Sequence, residues 1–203
     1  MGVSFGDVLG ALALRARSLV DEPVASRAAV AVILREENAG IEILFIRRAE
    51  SERDPWSGQV GFPGGRAEPG DADLGATARR ETFEEIGMDL AEDAELLGGL
   101  DEIRAMARGR AMDLKVAPFV FHLRRGQSVR LSAEVTSVHW LSLDALLGPE
   151  PHGRFEYRHG DRVDEMPCLR VGDLLIWGLT YRMFGGLRER LAALTAGGVH
   201  ASS

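Results

Sequence analysis

Apolar positions in the first quarter of the chain follow two different spacings. Between Val8 and Leu19 they recur at roughly helical intervals until Asp21-Glu22-Pro23, which predicts an N-terminal helical extension over residues 1–22, packed outside the main fold. Residues 28–34 and 41–46 are instead β-branched and aliphatic, with turn formers between them. This second pattern predicts a β-hairpin.

The middle of the chain alternates between loop, helix and strand patterns. Proline and glycine interrupt residues 49–70 and predict a long loop, whereas residues 72–86 predict a helix that Gly87 ends. Strand patterns follow at 95–99, 114–123 and 134–140, and a short helix is expected from about residue 141. We therefore expect a mixed α/β (α+β) fold.

The last fifty residues carry a second hairpin pattern. Residues 154–158 and 162–169 flank a His-Gly-Asp turn signal, and Asp173 is a candidate N-cap for a C-terminal helix that begins at residue 174. Residues 197–203 are expected to form a frayed tail. With no repeat or linker in between, residues 1–203 are predicted to form one domain.

Charge and cysteine content limit the classes of partner. The chain of 203 residues carries a formal net charge of −7, which opposes binding to nucleic acid or to anionic membranes. A membrane-spanning stretch is not expected, because no long uncharged apolar run occurs. The single cysteine, Cys168, favours the reducing cytoplasm. A monomer and a homodimer are equally compatible with the sequence.

Three glutamates dominate the predicted helix over residues 72–86. At about 100° per residue, Glu84 and Glu85 lie to either side of Glu81, so all three carboxylates share one helix face. Hard divalent cations offset such crowding, and magnesium is held by carboxylates while it binds substrate phosphates. The alternative is a solvated acidic face. The glycine-rich approach at Gly64-Gly65 favours the metal site.

Together these residues resemble the signature of the Nudix family, G-x5-E-x7-R-E-U-x-E-E-x-G-U, in which U is aliphatic. The core from Arg80 to Gly87 is intact. The spacing from Gly65 to Arg80 is one residue longer than usual, and an acidic run containing Asp71 and Asp73 replaces the upstream Glu. The resemblance implies a Nudix-type α/β/α sandwich with a mixed central sheet.

Residues upstream of the glycines resemble the coenzyme A branch of this family. The matching positions are Arg48-Ala49, Arg53, Gly58 and Phe62-Pro63-Gly64-Gly65, although one extra residue separates Arg53 from Gly58. This resemblance implies metal-dependent hydrolysis of a diphosphate linkage, with coenzyme A giving 4'-phosphopantetheine and 3',5'-ADP. Another nucleoside diphosphate derivative such as ADP-ribose, and a non-catalytic ligand-binding module, remain alternatives.

The same resemblance implies roles for individual side chains. Glu81, Glu84 and Glu85 would coordinate Mg²⁺ or Mn²⁺ and assist catalysis, and Arg80 would orient a catalytic carboxylate. Glu134 would lie near the metals, unless it is a solvated acid at a strand end. The residues expected to bind a small nucleotide diphosphate substrate are Arg48, Arg53, Gly64 and Gly65. Arg47 and Arg66 are further candidates for phosphate contacts, and Trp56 would either stack on a base or cover the core.

Overall fold

The computed structural model describes residues 2–50, 56–107, 110–126, 128–159 and 162–198. In these ranges the helices are α1 (Phe5–Ala13), α2 (Leu74–Ile86), α3 (Leu90–Asp93), α4 (Leu143–Leu147) and α5 (Gly178–Gly198). The strands are β1 (Ser26–Glu37), β2 (Gly40–Arg48), β3 (Val60–Gly61), β4 (Gly64–Arg66), β5 (Ala94–Gly99), β6 (Ile103–Ala107), β7 (Arg110–Leu123), β8 (Val135–Ser142), β9 (His152–His159), β10 (Arg162–Val171) and β11 (Leu174–Trp177).

The main sheet is mixed and is centred on β1. Its principal order is β3-β2-β1-β7-β5, while β4, β6 and β8 pair with β1, β7 and β2. The predicted β1–β2 hairpin is confirmed, with Leu34 opposite Ile43. β1 also pairs in parallel with β7, which the sequence did not predict. Because helices cover both faces of this central strand, residues 28–34 are all buried.

Helices lie on both faces of the sheet. On one face, Ala78 and Ile86 of α2 pack with Ala29 and Ile33 of β1. On the other, α5 packs against the alternate residues of β1, so the predicted α/β/α sandwich with a mixed sheet is confirmed. Val8 of α1 is fully buried in this second cluster, so α1 belongs to the core rather than lying outside it.

A separate three-stranded antiparallel sheet, β9-β10-β11, precedes α5. The predicted β9–β10 hairpin is confirmed by its register, with Tyr157 opposite Asp164. The prediction of a helix from residue 174 is wrong, because residues 174–177 form β11, which pairs with β10 at Leu169 and Ile176. The helix begins only at Gly178, where a φ of 60° turns the chain out of the strand.

Residues 199–203, most of the predicted frayed tail, lie outside the described residues, and α5 extends to Gly198. No helix in the described part of the chain combines the length and apolar character that crossing a membrane requires.

Candidate active site

The glycine-rich segment expected to be a loop forms two short strands, of which β4 pairs with β1. Gly64 has a φ of 151°, and a Cβ atom there would lie 2.3 Å from the carbonyl oxygen of Ala29. Only glycine permits β4 to approach β1 this closely. The abundance of glycine and proline had instead predicted a loop over these residues. A Cβ atom on Gly65 would lie 2.3 Å from Oε2 of Glu81. The two glycines therefore bring the backbone against the acidic face of α2.

Glu85 is the most deeply buried acid of this face, at 3% exposure. Its carboxylate accepts hydrogen bonds from the Gly64 N–H at 2.9 Å and from Nη1 of Arg48 at 3.1 Å. Burial nevertheless raises the pKa of Glu85 to about 7, against the opposing effects of those two partners. Burial also raises the pKa of Glu81. A bound cation would offset the cost that burial imposes on the ionised carboxylates, so these side chains are suited to bind one.

Arg80 connects the acids of α2 through one guanidinium group. Its Nη1 donates to Glu81 at 2.9 Å and to Glu84 at 3.1 Å, while Nε donates to Asp71 at 2.9 Å. These charge-assisted bonds strongly lower the pKa of Asp71 and raise that of Arg80. Arg80 thus fixes the orientation of the Glu81 carboxylate. The side chain of Glu84 is 54% exposed.

The structure separates two acids that the sequence left ambiguous. Asp71 bonds Arg80 and also accepts from the Thr77 hydroxyl at 2.8 Å, whereas Asp73 is the N-cap of α2 and accepts from the Ala76 N–H. A usable sequence signal was present, because Gly65 and Asp71 keep the five-residue interval of the Nudix signature. The additional residue therefore falls between Asp71 and Arg80.

Glu134 reaches the site through the segment before β8, which hydrogen-bonds to the end of α2. The Ser132 N–H donates to the carbonyl of Glu85, and the Glu134 carbonyl accepts from the Ala49 N–H at 2.7 Å. These backbone bonds hold Glu134 at the start of β8, beside the acids of α2. Its negative charge contributes to the raised pKa of both Glu81 and Glu85.

These groups line a cleft of about 510 Å³. Its charged lining includes Arg48, Glu81, Glu85 and Glu134. Its apolar lining comes from β1, β7, α5 and the approach to β3: Ala28, Val30, Trp56, Met112, Leu114, Val116, Leu179 and Met183. Trp56 both lines the cleft and packs against the core. The cleft therefore joins a charged end to an apolar wall, as a ligand with both characters requires.

Not every predicted residue reaches the cleft. Arg66 and both glycines line it, but Arg47 instead bonds the Asp173 carboxylate at 2.8 Å. Glu84 is not among the lining residues, and its link to the site is Arg80. Arg53 lies outside the described residues.

The carboxylates fit a divalent cation of the magnesium type. Within the described ranges, no three Asp, Glu, His or Cys side chains form a ready set of metal ligands. Magnesium does not need such a cage, since one or two carboxylates, water and substrate phosphates usually complete its shell. Glu81 and Glu85, with Glu134 on the same cleft, supply oxygen donors of that kind.

The model of the NUDIX domain matches residues 25–161, which include the cleft acids and both glycines. The chain belongs to the Nudix family. It is 30% identical over 184 residues to the human mitochondrial coenzyme A diphosphatase NUDT8, covering 84% of this chain and 75% of that one. It is 32% identical over 149 residues to the Caenorhabditis elegans peroxisomal coenzyme A diphosphatase ndx-8, covering 70% and 61% of the two chains.

The fold of this Nudix chain is similar to that of a C. elegans Ap4A hydrolase in a binary complex, with a TM-score of 0.54, 21% identity, and coverage of 85% of this chain and 99% of that one. This likeness concerns the fold alone. The chain spans between 36% and 65% of the length of four curated relatives, ndx-8 among them.

Proposed function

We propose that this Nudix protein hydrolyses the diphosphate linkage of a small nucleotide derivative, with coenzyme A or its thioesters as the favoured substrates. The observation that carries the proposal is the placement of Glu81, Glu85 and Glu134 on one cleft, together with Arg48 and a set of apolar residues. In this reaction water attacks one phosphorus atom and the bridging P–O bond breaks. Coenzyme A would give 4'-phosphopantetheine and 3',5'-ADP.

The proposed metal ligands are Glu81 and Glu85, with Glu134 and the more exposed Glu84 as further oxygen donors. A bound Mg²⁺ or Mn²⁺ would neutralise the diphosphate oxygens and favour attack by water. The protein's own contribution is orientation. Arg80 holds Glu81, the Gly64 N–H and Arg48 hold Glu85, and the backbone bonds of residues 132–134 hold Glu134. Preorganised charge of this kind is usually the largest part of such catalysis.

Substrate choice follows from the two sides of the cleft. A phosphate-bearing end would lie at Arg48, Arg66 and the acids, and an extended, less polar arm would lie along the apolar wall. Two relatives named coenzyme A diphosphatases, each at least 30% identical, support the same substrate class. Arg53 remains a proposed phosphate contact from the sequence signature.

The test compares kcat/KM for coenzyme A, dephospho-coenzyme A, ADP-ribose, NADH and nucleoside triphosphates at fixed Mg²⁺, with product identification. We expect coenzyme A to be preferred and removal of its 3'-phosphate to lower kcat/KM, since a charged contact loses its partner. A preference for ADP-ribose or a triphosphate would refute coenzyme A as the substrate but would still support a diphosphate hydrolase. No turnover of any substrate would favour a non-catalytic ligand-binding module.

The Glu81→Gln and Glu85→Gln variants are the control for this panel. We expect both variants to lose most of their activity, because neutral amides are poor substitutes for metal-bound carboxylates. Activity within about threefold of the parent in both variants would show that these two carboxylates do not carry the reaction.

We further propose a cytoplasmic protein that acts on small molecules without a nucleic-acid or membrane partner. The net charge of −7 and the buried free thiol of Cys168 support this setting. The named relatives are instead mitochondrial or peroxisomal. Imaging of the tagged full-length protein in its own cell would decide the location.

A further inference from the structure

A second cavity, of about 450 Å³, lies on the face of the main sheet that α2 covers. Its walls include Arg27 of β1 and Phe119 of β7, whereas the cleft is lined by Ala28 and Val116 of the same strands. Successive side chains of a strand point to opposite faces, so the two cavities use opposite faces of β1 and β7. Both cavities also contact α2, the second near its start at Leu74 and Gly75 and the cleft further along at Glu81 and Glu85, but no residue of the described ranges lines both cavities.

Three arginines, Arg17, Arg27 and Arg79, line this second cavity. Arg27 pairs with Glu102 at 3.3 Å, but within the described ranges no carboxylate pairs with Arg17 or Arg79. Their guanidinium groups instead lie over aromatic rings, Arg17 at 5.0 Å from the centre of Phe119 and Arg79 at 5.7 Å from that of Phe121. Acidic residues outnumber basic ones by 31 to 24 in this chain, so cations left without an acidic partner are unexpected.

Arg17 carries the most informative atom of the cavity. Its Nη1 is buried and forms no hydrogen bond within the described part of the chain. The side chain crosses Gly99 so closely that a Cβ atom there would lie 2.9 Å from Cδ of Arg17 and 3.2 Å from Nη1. A buried guanidinium nitrogen without an acceptor is costly, and an anionic ligand would remove that cost.

The lining chemistry specifies the kind of anion. Guanidinium groups match the oxygens of a phosphate in a bidentate manner, and Leu74, Leu96 and Phe119 add an apolar wall next to them. Asp73 also lines the cavity, but its carboxylate accepts from the Ala76 N–H at 2.7 Å as the cap of α2. We propose that Arg17, Arg27 and Arg79 form a second binding site, outside the catalytic cleft, for a phosphate-bearing small molecule.

The test is calorimetric titration of the full-length chain with inorganic phosphate and with AMP, in EDTA to suppress metal-assisted binding in the cleft. We expect one saturable site whose affinity falls about tenfold or more in Arg17→Ala and in Arg79→Ala, because each removes a charge-assisted contact. Gly99→Ala should also weaken binding, since the added Cβ displaces Arg17 without changing the charge. Tighter binding of AMP would indicate an organic phosphate, and equal binding would indicate the phosphate group alone.

Two control variants define the results that would overturn the site. Arg158→Ala removes an exposed arginine of β9 that pairs with Glu156, and Arg48→Ala removes an arginine of the catalytic cleft. Neither should change the affinity. Equal weakening by Arg158→Ala would mean nonspecific charge attraction, and weakening by Arg48→Ala alone would place the anion in the cleft. Absence of binding by both probes would also refute the proposal, with thermal unfolding used to verify that each variant is folded.

Discussion

Replacing Glu85 with glutamine should raise the stability of the metal-free protein at alkaline pH while it removes most of the activity. The pKa of Glu85 is about 7 against an ordinary value of 4.5, so the folded state binds this proton more tightly than the unfolded state. The stability that this provides is complete below about pH 4.5 and is lost as the pH rises through about 7. The difference corresponds to about 3 kcal/mol. The glutamine amide would keep an oxygen acceptor for the Gly64 N–H without the cost of a buried charge.

The assay is urea unfolding of the parent and Glu85→Gln in EDTA at pH 5 and pH 8. The parent should lose about 2.5 kcal/mol more than the variant between the two pH values, since a small part of the loss has already occurred at pH 5. At pH 8, added Mg²⁺ should stabilise the parent and not the variant, because ligands that bind the folded state raise its stability. Glu156→Gln, at an exposed surface ion pair, is the matched control and should follow the parent.

Equal pH dependence of the parent and Glu85→Gln would refute this account of the buried carboxylate. Turnover of the variant should fall by at least about 100-fold if its charge holds a catalytic cation. A variant that is more stable at pH 8 and yet fully active would separate the burial argument from the catalytic one. The combination of higher stability and lower activity is the result that the structure favours.

Three further predictions concern the metal, the glycine contact and the arginine network. EDTA should abolish turnover, and Mg²⁺ or Mn²⁺ should restore it better than Ca²⁺, which is larger and less demanding of octahedral geometry; full activity after exhaustive demetallation would contradict this. Gly65→Ala should leave a folded protein with reduced kcat/KM, because its Cβ would lie 2.3 Å from Oε2 of Glu81. Gly70→Ala is the control and should resemble the parent, since a Cβ there would meet no atom within 4 Å. Equal activity of the two variants would argue against a precise position for Glu81. Asp71→Asn should reduce kcat by loosening Arg80, whereas Asp73→Asn should have little effect since asparagine also caps helices; calorimetry and steady-state kinetics on both variants test this contrast, which equal losses would refute.

Local patterns alone determined much of this protein. Helix α2 lies within one or two residues of its predicted bounds because its cap, Asp73, and its stop, Gly87, act on their immediate neighbours. The hairpins β1–β2 and β9–β10 were predictable for a similar reason, since a short turn joins two strands that are close in sequence. Helical periodicity alone places Glu81, Glu84 and Glu85 on one face of α2.

Only the tertiary structure decided how these pieces form a site. The parallel pairing of β1 with β7 joins residues about ninety positions apart, such as Ala28 and Val116, and no local pattern encodes that contact. This pairing builds the sheet to which β4 adds at β1, and β4 brings Gly65 against Glu81 of α2. Helical periodicity made Glu84 and Glu85 equally strong candidates for metal ligands. The side chain of Glu84 is nevertheless 54% exposed and that of Glu85 only 4% exposed. Their burial differs because it depends on what packs opposite each side chain.

The start of α5 has the same explanation. The apolar content of residues 174–177 favoured a helix, but the edge of β10 was available to them and backbone pairing made them a strand. Asp71 and Asp73 were equivalent as an acidic run, and only the structure shows that Asp71 bonds Arg80 whereas Asp73 caps α2. The sequence thus determined which acidic and basic side chains are available for a site. Packing between elements determined which of them lie together, because those contacts depend on partners that are remote along the chain.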